Sequence, residues 1–154
     1  MREKINRWVA VLLSIVMGVM LLGVLWQVFT RYVMGEASTV TGELARFGLI
    51  WIGLLGAAYI SGENAHLAID LLPTHLSDKN REKLRILINS AIILFALAVL
   101  VIGGSQLVYM SFLLGQTSAS LQLPLGYVYF VIPLSGVLII YYKTADIFES
   151  ITTP

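Results

Sequence analysis

Apolar residues run through this chain in blocks too long for a water-soluble fold. From 86 to 142 there is no Asp, Glu, Lys, Arg or His, a run of 57 uncharged positions. Soluble helices and strands keep a polar face toward water, and no such face recurs in this run. One crossing of a bilayer core takes about 20 apolar residues. The run therefore predicts two crossings, separated by the polar but uncharged stretch 115–122. A second block, 8–30, is 23 residues long. Arg2, Lys4 and Arg7 before it resemble the basic start of a secretion signal, but a cleavable apolar region is about 7–15 residues and ends on small side chains. This block ends Trp26-Gln27-Val28-Phe29 and reads as a retained first helix. A third block, 47–62, is 16 residues long. That is short for a crossing and puts Glu43 and Arg46 at the membrane boundary.

The expected fold is an all-α integral membrane protein. A single transmembrane domain over 1–154 holds four helices, at about 5–33, 39–61, 78–114 and 124–148. Gly35 ends the first helix, and residues 38–41 (Ser-Thr-Val-Thr) offer N-caps for the second. Pro124 suits the first turn of the fourth, and Pro133 predicts a kink within it. Between the second and third helices, 66–73 carries apolar Leu67, Ile69, Leu71 and Leu72. It is too short to cross and reads as a short interfacial helical segment. Eight of the ten Lys and Arg fall before the first span, between the second and third, or after the fourth. Only Arg31 and Arg46 fall on the other side. The positive-inside rule then puts both termini in the cytoplasm.

Composition narrows the function. Hydrophobic residues are 58% and charged residues 12% of the chain, against roughly 45–50% and 25% in soluble domains. The net charge of +1 comes without a basic, aromatic-interleaved cluster, so nucleic acid is not an expected partner. There is no Cys, which removes thiolate metal sites and thiol nucleophiles. No catalytic triad, phosphate loop or paired-carboxylate constellation is present, so an enzyme is not expected, nor is a cofactor. No His lies within a span, which leaves haem ligation between helices unsupported.

Three groups of polar residues remain. Arg31, Glu43 and Arg46 gather at the outer ends of the first two helices. Charges at the hydrocarbon edge must pair or snorkel. The three read as a charge network or a subunit contact, or else as ordinary snorkelling side chains. His66 and Asp70 are spaced i, i+4 on the short segment and read as an interfacial pair; a metal site would need more ligands. Ser118 and Gln122 lie in the uncharged outer loop and are candidates for contact with a partner.

Four stretches, in order, carry a family resemblance: WQVFTRYV at 26–33, TGELARFGLIWIGLLGAAY at 41–59, GENAHLAIDLL at 62–72 and LQLPLGYVYFVIPLSG at 121–136. Together they resemble the small membrane subunit, the Q component, of tripartite ATP-independent periplasmic (TRAP) transporters. The family often has a second acid beside the Glu43 position and a Trp before it; this chain has Gly42 there, and Val40 or Thr39. The resemblance implies a multi-pass protein of the bacterial inner membrane. It implies partnership with a large membrane subunit, lipids and a periplasmic substrate-binding protein, the last touching the outer loop at Ser118 and Gln122. It further implies a stationary scaffold in sodium-coupled uptake of an organic acid such as a sialic acid, dicarboxylate or keto acid, with the sodium ions on the large subunit. Two other readings fit the residues less fully. One is an accessory subunit of another membrane complex. The other is a small multidrug-type proton-coupled exporter, for which Glu43 is the only candidate acid.

Overall fold

The computed structural model describes residues 2–35, 38–63 and 78–152. His66, Asp70 and the segment 66–73 lie outside the described residues. The regular elements of the described residues are all helical, with no strand among them. Helix α1 is Arg2–Val33 and α2 is Thr39–Glu63. The third span begins as α3 (Asp78–Phe95), passes through a π-helical stretch (Ala96–Gly103) and ends as α4 (Gly104–Leu113). The fourth begins with the short α5 (Leu125–Tyr129) and continues as α6 (Val131–Thr152). Among the described residues, four helices are long and apolar enough to cross a membrane.

Each span's start and stop has a local cause. Ser38 caps α2, its Oγ accepting from the Thr41 N–H at 3.5 Å. Gly115 ends α4 with φ +60°, where a β-carbon would be strained. Its N–H donates to the Phe112 carbonyl at 3.1 Å, and the Gln116 N–H reaches back to Ser111 at 3.0 Å. This paired closure satisfies carbonyls that the helix end would otherwise leave bare. The break between α5 and α6 falls where Pro133 has no N–H to give the Tyr129 carbonyl, and α5 ends at Tyr129. The indole N–H of Trp51, on α2, donates to the neighbouring Val128 carbonyl at 3.1 Å.

The bundle has little interior. Among the described residues, six of the eight buried apolar side chains form two small clusters, Val9 with Leu55 and Val131, and Ala58 with Ala96 and Ile139. Large apolar side chains such as Ile15, Leu22, Leu87 and Leu94 lie well exposed. In hydrocarbon that exposure costs nothing; helices there associate by close packing, which favours small residues at contacts. The glycines follow this rule. A β-carbon on Gly136 would stand 2.7 Å from Leu100 Cβ, and one on Gly104 would stand 2.7 Å from Ile132 Cγ2. Gly136 on α6 faces the middle of the π stretch and Gly104 directly follows it, so both lie where the third span meets α6. No feature of the sequence predicts the π geometry of Ala96–Gly103. Trp8 and Tyr32 are both highly exposed and lie 24 residues apart, about 36 Å along α1. They stand at the two ends of the apolar belt, where interfacial aromatics collect.

Candidate functional site at the charged ends of the bundle

Charged side chains of the described spans collect at the two ends, and the two ends differ. At the end that carries the 113–125 connection, α4 and α5 are joined by a tight polar loop. The Ser118 N–H donates to the Leu123 carbonyl at 2.9 Å, and the Leu125 N–H to the Gln116 carbonyl at 2.9 Å. Thr117 and Pro124 form an isolated bridge. Gln122 takes a left-handed conformation, φ 54°, uncommon for a residue with a β-carbon. The turn's outward amides would otherwise lack acceptors inside the protein, and Glu43 supplies them. Its carboxylate accepts from the Ser120 N–H at 3.1 Å and from the Leu121 N–H at 3.0 Å. The Ser118 hydroxyl faces the same carboxylate. An acid from the first turn and a half of α2 thus braces the loop between the third and fourth spans.

Arg31 and Arg46 are both exposed at this end. Among the described residues no ion pair joins either of them to Glu43. The three residues expected as one group are therefore placed at one end of the bundle, with Glu43 committed to backbone amides. Ser118 and Gln122 also divide. Ser118 is buried, and its Oγ accepts from the Leu123 N–H at 3.3 Å. Gln122 is exposed, with Nε2 donating to the Ala119 carbonyl at 3.3 Å.

The opposite end is ionic and largely buried. Arg2 Nε donates to the Gly62 carbonyl at 2.9 Å, tying the start of α1 to the end of α2. Arg2 Nη1 also lies 2.8 Å from Asp146 Oδ1 on α6. Lys143 pairs with the other oxygen of Asp146 at 3.2 Å, and both residues are buried. Asn6 Nδ2 donates to Glu63 at 3.0 Å. Gly62 is obligatory at this junction. A β-carbon there would stand 2.5 Å from Asn6 Oδ1 and 2.9 Å from Tyr142 Cζ. Arg2 and Asp146 are 144 positions apart, and sequence reading did not single them out. A signal was present, since Lys143 and Asp146 fall three apart on one helix face.

The chemistry open to these ends is structural and adhesive. Among the described residues no three of His, Asp or Glu come together as metal ligands. What the arrangement provides is a rigid loop at one end, an ionic lock at the other, and apolar faces between.

Comparison with known proteins accords with this arrangement. Residues 20–153 match the family model described as tripartite ATP-independent periplasmic transporters, DctQ component. A curated Haemophilus influenzae protein carrying the name of a TRAP transporter small permease protein is 26% identical over 135 residues, spanning 88% of this chain and 82% of that one. That family is a transporter subunit and not an enzyme, and its match covers most of the four apolar spans. The chain belongs to the DctQ component family of tripartite ATP-independent periplasmic transporters.

Proposed function

We propose that this chain is the stationary small subunit of a TRAP transporter in a bacterial inner membrane. It packs beside a large membrane subunit that carries an organic acid with sodium. The supporting observation is the distribution of charge. Between Arg46 and Glu63 on α2, and from 86 to 142 across the third and fourth spans, no charged residue occurs. An ion or substrate path through a membrane needs polar or ionisable groups near the midplane. Glu43 does not substitute for one, because backbone amides occupy its oxygens. The exposed apolar faces of α1 and α4 suit burial against another membrane protein.

In this reading both termini and the ionic end face the cytoplasm, following the basic-residue bias, and 66–73 lies along that interface. The braced 115–122 loop faces the periplasm and offers a docking surface to the substrate-binding protein. Gln122 is the contact residue and buried Ser118 holds the loop's shape. Arg31 and Arg46, exposed beside the loop, reach the large subunit or lipid phosphates. The test is transport in proteoliposomes fed by the binding protein. Gln122→Arg should slow delivery while leaving sodium affinity unchanged. A changed sodium affinity would place this chain in the transport path and end the scaffold reading.

A further inference from the structure

A cavity of about 470 Å³ opens at the ionic end, between the start of α1, the end of α2, the start of α3 and the end of α6. That is within the roughly 300–1,000 Å³ range of small-molecule sites. Among the described residues its charged lining is balanced: Arg2, Arg7 and Arg85 against Glu3, Glu63 and Asp146. Part of this charge is already matched, since Arg2 meets Asp146 and Asn6 donates to Glu63. Part is not. Arg85 Nε is shut off from solvent with no hydrogen-bond partner. Asn6, 7% exposed, also leaves its Oδ1 buried and unpartnered beside the cavity. A buried guanidinium N–H without an acceptor is costly, and its natural complement is a phosphate or carboxylate oxygen. Arg7 is exposed on the same wall. Glu3 and Glu63, also exposed, present negative charge at the same opening.

The cavity lies at the level where the apolar spans end. A ligand reaching it from the bilayer would do so headgroup first. A site with unmatched donors on one wall, carboxylates on another and no net charge among its described residues suits a dipolar ligand better than a plain anion. We propose that this cavity binds the headgroup of an ammonium-bearing, zwitterionic phospholipid from the adjoining leaflet. Arg7 and Arg85 hold the phosphate, and Glu3 and Glu63 hold the ammonium. The site ties three spans to the lipid at the ionic end. It depends on the fold alone and is independent of the transport reading.

The test is native mass spectrometry of the full chain in detergent, titrated with palmitoyl-oleoyl phosphatidylethanolamine or the corresponding phosphatidylglycerol. One phosphatidylethanolamine should be retained per chain under activation that strips phosphatidylglycerol. Arg85→Gln should weaken that retention about tenfold, as expected for the loss of one charge-assisted bond. Arg7→Gln, at an exposed position, should weaken it in the same direction. Glu3→Gln should lower the preference for phosphatidylethanolamine over phosphatidylglycerol while leaving phosphatidylglycerol binding unchanged. Equal retention of the two lipids in the wild type, or unchanged retention in both arginine variants, would overturn the proposal. Displacement of the lipid by inorganic phosphate would assign the cavity to a soluble phosphate instead and would overturn it as well.

Discussion

Gly136→Ala tests how the third and fourth spans are held together. The added methyl would meet Leu100 Cβ at 2.7 Å and the Val101 backbone nitrogen at 3.3 Å. Neither atom can rotate aside, since one is fixed to the backbone and the other belongs to it. The α6 helix must therefore move off the π stretch, or the stretch must rewind. Overpacking of this kind costs about 1–3 kcal/mol. Against that, Ala is a better helix former than Gly by up to about 1 kcal/mol. The net expectation is a loss of about 1–2 kcal/mol. For a chain of this length that lowers the melting temperature by about 2–8 °C. Gly53→Ala is the matched control, because a β-carbon there meets nothing within 4 Å. It should melt at or above the wild-type temperature. Thermal unfolding in detergent, followed by circular dichroism, measures both. A Gly136→Ala protein as stable as wild type, or a Gly53→Ala protein equally weakened, would refute close packing at Gly136 as the contact that sets this pair of spans.

Other expectations follow from the two ends. Glu43→Gln and Glu43→Ala should speed hydrogen exchange at the Ser120 and Leu121 amides, with the larger effect in the Ala variant; unchanged exchange would mean the loop holds its shape without the brace. Glu43→Gln should also impair transport more than Glu36→Gln, and indistinguishable rates would leave Glu43 with no functional role. Asp146→Ala strips the buried Lys143 of its counter-charge and should cost about 3–5 kcal/mol, read as a large drop in melting temperature; a drop no larger than that of Glu3→Ala would show that the ionic lock contributes little. The chain has no Cys, so single thiols report topology cleanly. One at exposed Gln122 should label from the periplasm and one at Asn80 should not, with the reverse pattern overturning the orientation.

The spans were legible in the sequence because crossing a bilayer is a local demand. The uncharged run from 86 to 142 needs only length and composition to be read, and Gly35, Gly115 and Pro133 mark their breaks by backbone constraints that act within a few residues. What was not legible depends on contacts across the chain. Glu43 looked like a partner for Arg31 and Arg46, since opposite charges at one membrane boundary attract. Its observed partners are the N–H groups of Ser120 and Leu121, and every residue except proline carries such a group, so sequence gives no hint of them. A loop without any Lys or Arg was the available clue, because an acid beside it has only neutral donors to find. Ser118 looked like a surface residue for the same reason that the loop looked exposed, and the Glu43 brace is what turns it inward. Arg2 and Asp146 met unannounced because nothing local connects the first turn of α1 to the last turns of α6. The π stretch, likewise, lies against α6 through Gly136, a contact no local pattern announces.

The scaffold assignment turns most directly on whether this chain has a large membrane partner. Affinity purification of the tagged chain, co-expressed with the large subunit of its transporter, should yield a stoichiometric complex. That complex should melt above the isolated chain, because the exposed faces of α1 and α4 become buried in it. Purification as a self-contained oligomer, with a melting temperature unchanged by the large subunit, would contradict the assignment.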